Sequence, residues 1–288
     1  MLRARLITAA IAIPLLVWVV FWAPLWVFNT VVLLACFIAL REFAAMALEG
    51  LPHATTMVTV GGMTIALVMG LSRSPAAVSA GIVMTLAGIL IGTLATSRQQ
   101  SDEGALPVGT APQRGMELRV NMAGQILLGC LYGGLLLPHF IWLRVLPGTG
   151  PAWVFFVLAC VMAGDGGGYF GGRAFGKRPL WPQVSPNKTI EGAAASFAGS
   201  LVVGAAANVL VLKTLGPLEV LAVAGAVNVL AQLGDLLESM LKRAYDAEDS
   251  GWILPGHGGV LDRTDSLVLP IVFAYYYAIL SRGYLTVP

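Results

Sequence analysis

The window from Asp235 to Asp265 reads DLLESMLKRAYDAEDSGWILPGHGGVLDRTD and gathers the residues best able to do chemistry. Asp235, Glu238, Asp246, Glu248, Asp249, Asp262 and Asp265 stand there with Lys242, Arg243 and Arg263, ten of the chain's 32 charged residues (17 basic and 15 acidic). Asp235, Glu238, Ser239 and Lys242 fall at i, i+3, i+4 and i+7, one stripe of a helix. That helix leaves an apolar run, where a carboxylate is costly to place and is a functional candidate by default. Asp262 and Asp265 lie one turn apart ahead of the last apolar run. Together with Asp235 they form an oxygen-rich set suited to Mg²⁺, which takes carboxylates, waters and phosphates. Between them, Pro255-Gly256-His257-Gly258-Gly259 is rich in turn residues, and its glycines let backbone amides approach a phosphate closely.

A second cluster runs from Gly164 to Gly192, GDGGGYFGGRAFGKRPLWPQVSPNKTIEG. Asp165 lies in an apolar run beside three glycines, where it is either a functional carboxylate or a polar residue that breaks a helix. Arg173, Lys177, Arg178 and Lys188 supply positive charge, Ser185 and Thr189 supply hydroxyls, and Glu191 stands at the mouth of the next helix. The basic residues alone would satisfy membrane topology or bind anionic head groups. A basic, hydroxyl-rich loop also suits a triphosphate, and an acidic site beside it suits the accompanying metal.

The elements that position these loops follow from composition. The chain has 288 residues, 57% hydrophobic and 11% charged, with a mean hydropathy of +0.81. So few polar residues cannot cover a water-facing surface, which excludes a soluble globular domain. A bilayer core needs runs of about 20 apolar residues. The sequence predicts nine spans, approximately Leu6 to Phe21, Leu25 to Leu40, Ala54 to Leu71, Ala76 to Ala95, Met122 to Leu143, Ala152 to Gly171, Ala193 to Leu212, Leu218 to Leu237 and Leu267 to Leu280. The expected fold is an all-α polytopic integral membrane protein. Only Ala23 and Pro24 separate the first two spans, as a hairpin or as one long kinked segment. Arg3 and Arg5 precede the first, which reads as a retained anchor rather than a cleaved signal.

With nine spans and a cytoplasmic N-terminus, only Arg73, Arg144, Lys213 and Arg282 of the 17 basic residues lie outside. That asymmetry supports both the count and the orientation. Residues 1–120 read as N-terminal transmembrane helices carrying no site, with a flexible connection from Ser97 to Pro112. Residues 121–288 read as the catalytic membrane region, with cytoplasmic loops at 172–192 and 238–265. Cys36, Cys130 and Cys160 each sit in an apolar run and read as buried small hydrophobes. A net charge of +2 excludes a nucleic-acid binder driven by bulk charge.

At these two clusters the sequence resembles the phosphatidate cytidylyltransferases, also called CDP-diacylglycerol synthases. Ser239, Lys242-Arg243, Asp249, Pro255 to Gly259 and Asp262-Arg263-Thr264-Asp265 match the family's C-terminal signature, and Asp165 to Gly192 match its upstream pattern. The motifs cover roughly the last 125 residues. Glu248 departs from the family's Lys and reverses a charge beside the site. Asp165 is followed by Gly166 and Gly167, where Ser or Thr and then Gly or Ala are usual.

The resemblance implies transfer of CMP from CTP to phosphatidic acid, with Mg²⁺ as cofactor, in a lipid membrane. On that reading Asp235, Asp262 and Asp265 bind metal, with Asp249 as a fourth candidate. Lys188, Lys242, Arg243 and Arg263 pair with phosphates, and Ser185 and Thr189 donate hydrogen bonds. Asp165, Arg173, Lys177, Glu191, Ser239, Gly258 and Gly259 complete the substrate-binding set. His257 has three candidate roles: proton shuttle, phosphate donor or turn stabiliser. His53 and His139 read as structural. A homodimer is a candidate assembly. The rival readings are a CTP-dependent lipid-alcohol kinase, which would need a base for its neutral hydroxyl, and an ion-coupled transporter using Asp165 and Asp235.

Overall fold

The computed structural model describes residues 13–72, 74–102, 112–247, 249–251 and 258–282, and nearly all of them are helical. In lipid every backbone N–H and C=O must be satisfied internally, and a helix does so within one segment. The helices are α1 (residues 13–21), α2 (Leu25–Ala47), α3 (Pro52–Leu71), α4 (Pro75–Asp102), α5 (Pro112–Leu131), α6 (His139–Arg144), α7 (Gly150–Phe175), α8 (Ile190–Ala207), α9 (Pro217–Ala244) and α10 (Leu261–Arg282). Short π-helical turns, Tyr132–Leu136 and Asn208–Leu212, extend α5 and α8.

Among the described residues, eight helices are long and apolar enough to cross a membrane. They coincide with eight of the nine expected spans; the first is described from residue 13 and is helical to residue 21. The chain leaves helical geometry at Trp22 to Pro24, so the first two spans are separate helices. The Pro24 carbonyl then accepts the first bonds of α2, from the Val27 and Phe28 amides. The connection expected from Ser97 is shorter, because α4 continues to Asp102 and α5 begins at Pro112. Cys36, Cys130 and Cys160 are free and buried.

The chain forms two compact units that interleave in sequence. The first takes the chain up to Val32, His139–Arg243 and the chain from Arg263 onward. In it α7 packs along α8 through glycines. A side chain at Gly167 would meet the Ala195 carbonyl, and one at Gly171 would overlap the Ala195 methyl. Small residues allow such close backbone approach between membrane helices, where packing and polar contacts replace the hydrophobic drive. Asn228 of α9 is buried and donates to the hydroxyls of Ser196 and Ser200 on α8, both at 2.9 Å. His139 is buried and makes ring contacts with the buried Trp142, the half-buried Tyr275 and the exposed Tyr276.

The second unit comprises Leu33–Pro138 and Ala244–Asp262. Leu40 and Phe43 of α2 fill its core, lying where side chains at Gly62 and Gly129 would otherwise project.

Candidate active site

Asp165 lies within a continuous α7, so the glycines around it do not break the helix. Gly164, Gly167, Gly168 and Gly171 form its packing face toward α8. The helix carries Arg173 onto its last turn, where the guanidinium donates to the Tyr169 hydroxyl at 3.3 Å.

The segment that follows was expected as loop but folds into an antiparallel hairpin, β1 (Pro179–Trp181) and β2 (Ser185–Thr189). Its turn residues Pro182 and Gln183 separate two short extended runs. Glu191 shapes the entry to this hairpin. Its carboxylate accepts the amides of Lys177 and Arg178 at 3.0 and 3.2 Å and the Arg178 Nε at 3.0 Å. Thr189 is the N-cap of α8, its Oγ1 accepting the Gly192 amide at 3.1 Å. Glu191 and Thr189, expected to meet substrate, thus have defined work in folding the hairpin. Ser185 opens β2, and Lys188 points from β2 to Asp235, with Nζ 2.5 Å from its carboxylate.

On α9 the stripe read from sequence is real. Glu238 is almost fully buried and pairs with Lys242 one turn on, at 3.0 Å. Gly234 brings this stripe against α10, since any side chain there would strike the Asp265 carbonyl oxygen. The close approach sets Asp235 and Glu238 beside Asp265, which is itself buried and accepts the Ser266 amide at 2.6 Å. One oxygen from each of Asp235, Glu238 and Asp265 lies within 4.8 Å of the others. Asp165 is near enough to feel the charges of Asp235, Asp265, Lys188 and Arg263.

The electrostatics favour a cation. Four carboxylates, Asp165, Asp235, Glu238 and Asp265, face three cationic groups, Lys188, Lys242 and Arg263. Of the four, Glu238 and Asp265 are buried, Asp235 is half-buried and Asp165 is exposed; burying carboxylates is costly unless positive charge compensates them. The donors are hard oxygens, which fit Mg²⁺ and would serve soft metals poorly. Asp235, Glu238 and Asp265 are the residues that would hold it.

Asp262 is engaged differently from the expectation. Its Oδ2 accepts the amides of Gly259 at 2.8 Å and Ser250 at 3.2 Å, and its own amide donates to the Ser250 hydroxyl at 3.2 Å. The carboxylate turns back on the chain before α10 and satisfies two amides, those of Gly259 and Ser250, that lie outside the helix. Gly258 adopts a positive φ of 76° beside this carboxylate, a conformation that favours glycine. Gly259 is buried, and its amide is given to Asp262, where sequence reading had offered it to a phosphate. Asp249 is exposed, as is Arg243 at the end of α9, while Ser239 is half-buried on the same helix. His257 and Glu248 lie outside the described residues.

Two acidic residues escaped the sequence-based site. Glu238 stood in the stripe but was not assigned to the metal set, although its i+3 spacing from Asp235 was the available signal. Glu42 stood in the N-terminal half, where no site was expected.

Comparison with known proteins bears on the family of the chain. Residues 3–281 match the model of the cytidylyltransferase family. The chain is 41% identical over 153 residues to a phosphatidate cytidylyltransferase of Bacillus subtilis, covering 53% of this chain and 57% of that protein. It is 40% identical over 183 residues to one of Mycobacterium bovis, covering 58% and 53% respectively. A phosphatidate cytidylyltransferase of Brucella suis is 43% identical over 128 residues, 43% of this chain and 46% of that protein. The matched stretches thus span about half the length of these relatives. By the family match across nearly its whole length, the chain belongs to the cytidylyltransferase family.

Proposed function

We propose that this protein transfers CMP from CTP to phosphatidic acid, forming CDP-diacylglycerol and pyrophosphate for phospholipid synthesis. The observation that carries the reading is the group of Asp235, Glu238 and Asp265 flanked by Lys188 and Lys242. A phosphate oxygen of phosphatidic acid attacks the α-phosphorus of CTP and forms the new P–O bond. The bond from that phosphorus to the bridging oxygen breaks, and its electron pair leaves with pyrophosphate. The attacking oxygen is already anionic near neutral pH, so the residues need not supply a strong base.

Catalysis here is chiefly alignment and charge neutralisation. On this reading Lys188 and Arg263 attract phosphate oxygens, and Lys242 holds Glu238 in position beside Asp235. Mg²⁺ bound by the three carboxylates would neutralise charge on the triphosphate. The basic residues counted on one side support a site that faces the cytoplasm, and the bacterial relatives support a cell-membrane location.

The test is purified protein with α-³²P-labelled CTP, Mg²⁺ and phosphatidic acid vesicles. Label on the lipid with release of unlabelled pyrophosphate is the expected result. Release of labelled CDP with a phosphorylated lipid alcohol would replace this reading with the kinase.

A further inference from the structure

Glu42 lies near the C-terminal end of α2, between Arg41 and Phe43, and is only 4% exposed. Its two oxygens are both committed to the start of α10. Oε1 accepts the Val260 amide at 3.0 Å and Oε2 accepts the Leu261 amide at 2.8 Å. With Asp262 taking the Gly259 amide and Ser250 Oγ taking the Asp262 amide, four consecutive amides, 259 to 262, are given to three side chains. A negative side chain at this end also meets the positive pole of a 22-residue helix.

The surroundings are shaped to the carboxylate. A Cβ at Gly251 would come within 2.5 Å of Oε1, and one at Gly259 within 2.6 Å of Oε2. Glu42 is thus enclosed by two glycines of the segment it grips, and that segment carries Asp262.

We propose that Glu42 is a positioning residue for the transfer reaction: it fixes the first turn of α10 and the backbone around Ser250 and Gly259, and so sets where Asp262 stands. The proposal rests on the function above for its catalytic part. Its amide contacts are independent of that function.

The variant is Glu42→Gln, which keeps the shape but turns one oxygen into an NH₂ that cannot accept from an amide N–H. The expected result is a kcat lower by at least about tenfold with the KM for CTP little changed, the signature of misplacement rather than lost binding. Hydrogen exchange should quicken at the Val260 and Leu261 amides while the core of α7 and α8 stays protected. Gly251→Ala reaches the same carboxylate from the other side, serves if Glu42→Gln fails to insert, and should lower kcat in the same way.

Unchanged kcat in either inserted variant would overturn the proposal. So would a loss of activity that only tracks the loss of folded protein. Absence of CMP transfer by the wild-type chain would reject the proposed function and the catalytic role together, whereas unaltered amide exchange in Glu42→Gln would reject the grip itself.

Discussion

Lys188 and Asp235 join the hairpin between α7 and α8 to the stripe of α9, their charged atoms 2.5 Å apart. Both side chains are about one-third exposed or less, at 29% and 34%. A pair this accessible contributes at most about 1 kcal/mol to stability. On the proposed function, its worth would lie in presenting an ammonium beside the acidic group to an arriving triphosphate.

Lys188→Met removes that ammonium while keeping the aliphatic stem. The expected outcome is a KM for CTP raised roughly tenfold, about 1.4 kcal/mol of lost binding, with the thermal midpoint nearly unchanged. Steady-state kinetics beside a thermal melt in detergent would check it, and an unaltered KM would remove Lys188 from the substrate's path.

Asp265→Asn and Glu238→Gln should each lower kcat by about a hundredfold or more, since each withdraws one of three grouped carboxylates. Both should also raise the Mg²⁺ concentration needed for half-maximal rate. Glu238→Gln is the sharper case, because only the folded arrangement places it in the group. If Glu238→Gln keeps both its rate and its Mg²⁺ requirement, Glu238 serves only to hold Lys242.

Asp262→Ala should behave differently. The side chain holds the amides of Ser250 and Gly259, so its loss frees the backbone at the head of α10. We expect kcat to fall by about tenfold with the Mg²⁺ half-saturation point unmoved. A Mg²⁺ shift as large as that of Asp265→Asn would return Asp262 to the metal set.

The contrast between Asp262 and Asp265 marks where sequence reading stops. Hydropathy exposed the spans because a bilayer demands apolar runs of fixed length. The i, i+3, i+7 spacing placed Asp235, Glu238 and Lys242 on one face because helix geometry is local. Spacing alone does not tell which of two carboxylates one turn apart will turn back on the chain before α10. That depends on Ser250 being brought to Asp262. Glu42 was invisible for the same reason: its partners, Val260 and Leu261, lie more than two hundred residues on. The hairpin was missed because its strands are three and five residues long and Pro179 and Pro186 argue against strand.

The last prediction sets two helical glycines against each other. Gly234 has the Asp265 carbonyl oxygen where a methyl would go, and a backbone atom cannot swing aside as a side chain can. Gly234→Ala must therefore push α9 from α10, at a cost of about 1–3 kcal/mol, and separate Asp235 from Asp265. Gly166, beside Asp165 on α7, has nothing within 4 Å of the same position. An alanine there fits the helix and should stabilise it by up to about 1 kcal/mol. Thermal melts and CMP transfer measured on both variants separate the effects. Gly234→Ala should lose stability and activity together, whereas Gly166→Ala should gain stability and stay active. An active, stable Gly234→Ala would show that the carboxylates do not depend on close contact of the two helices.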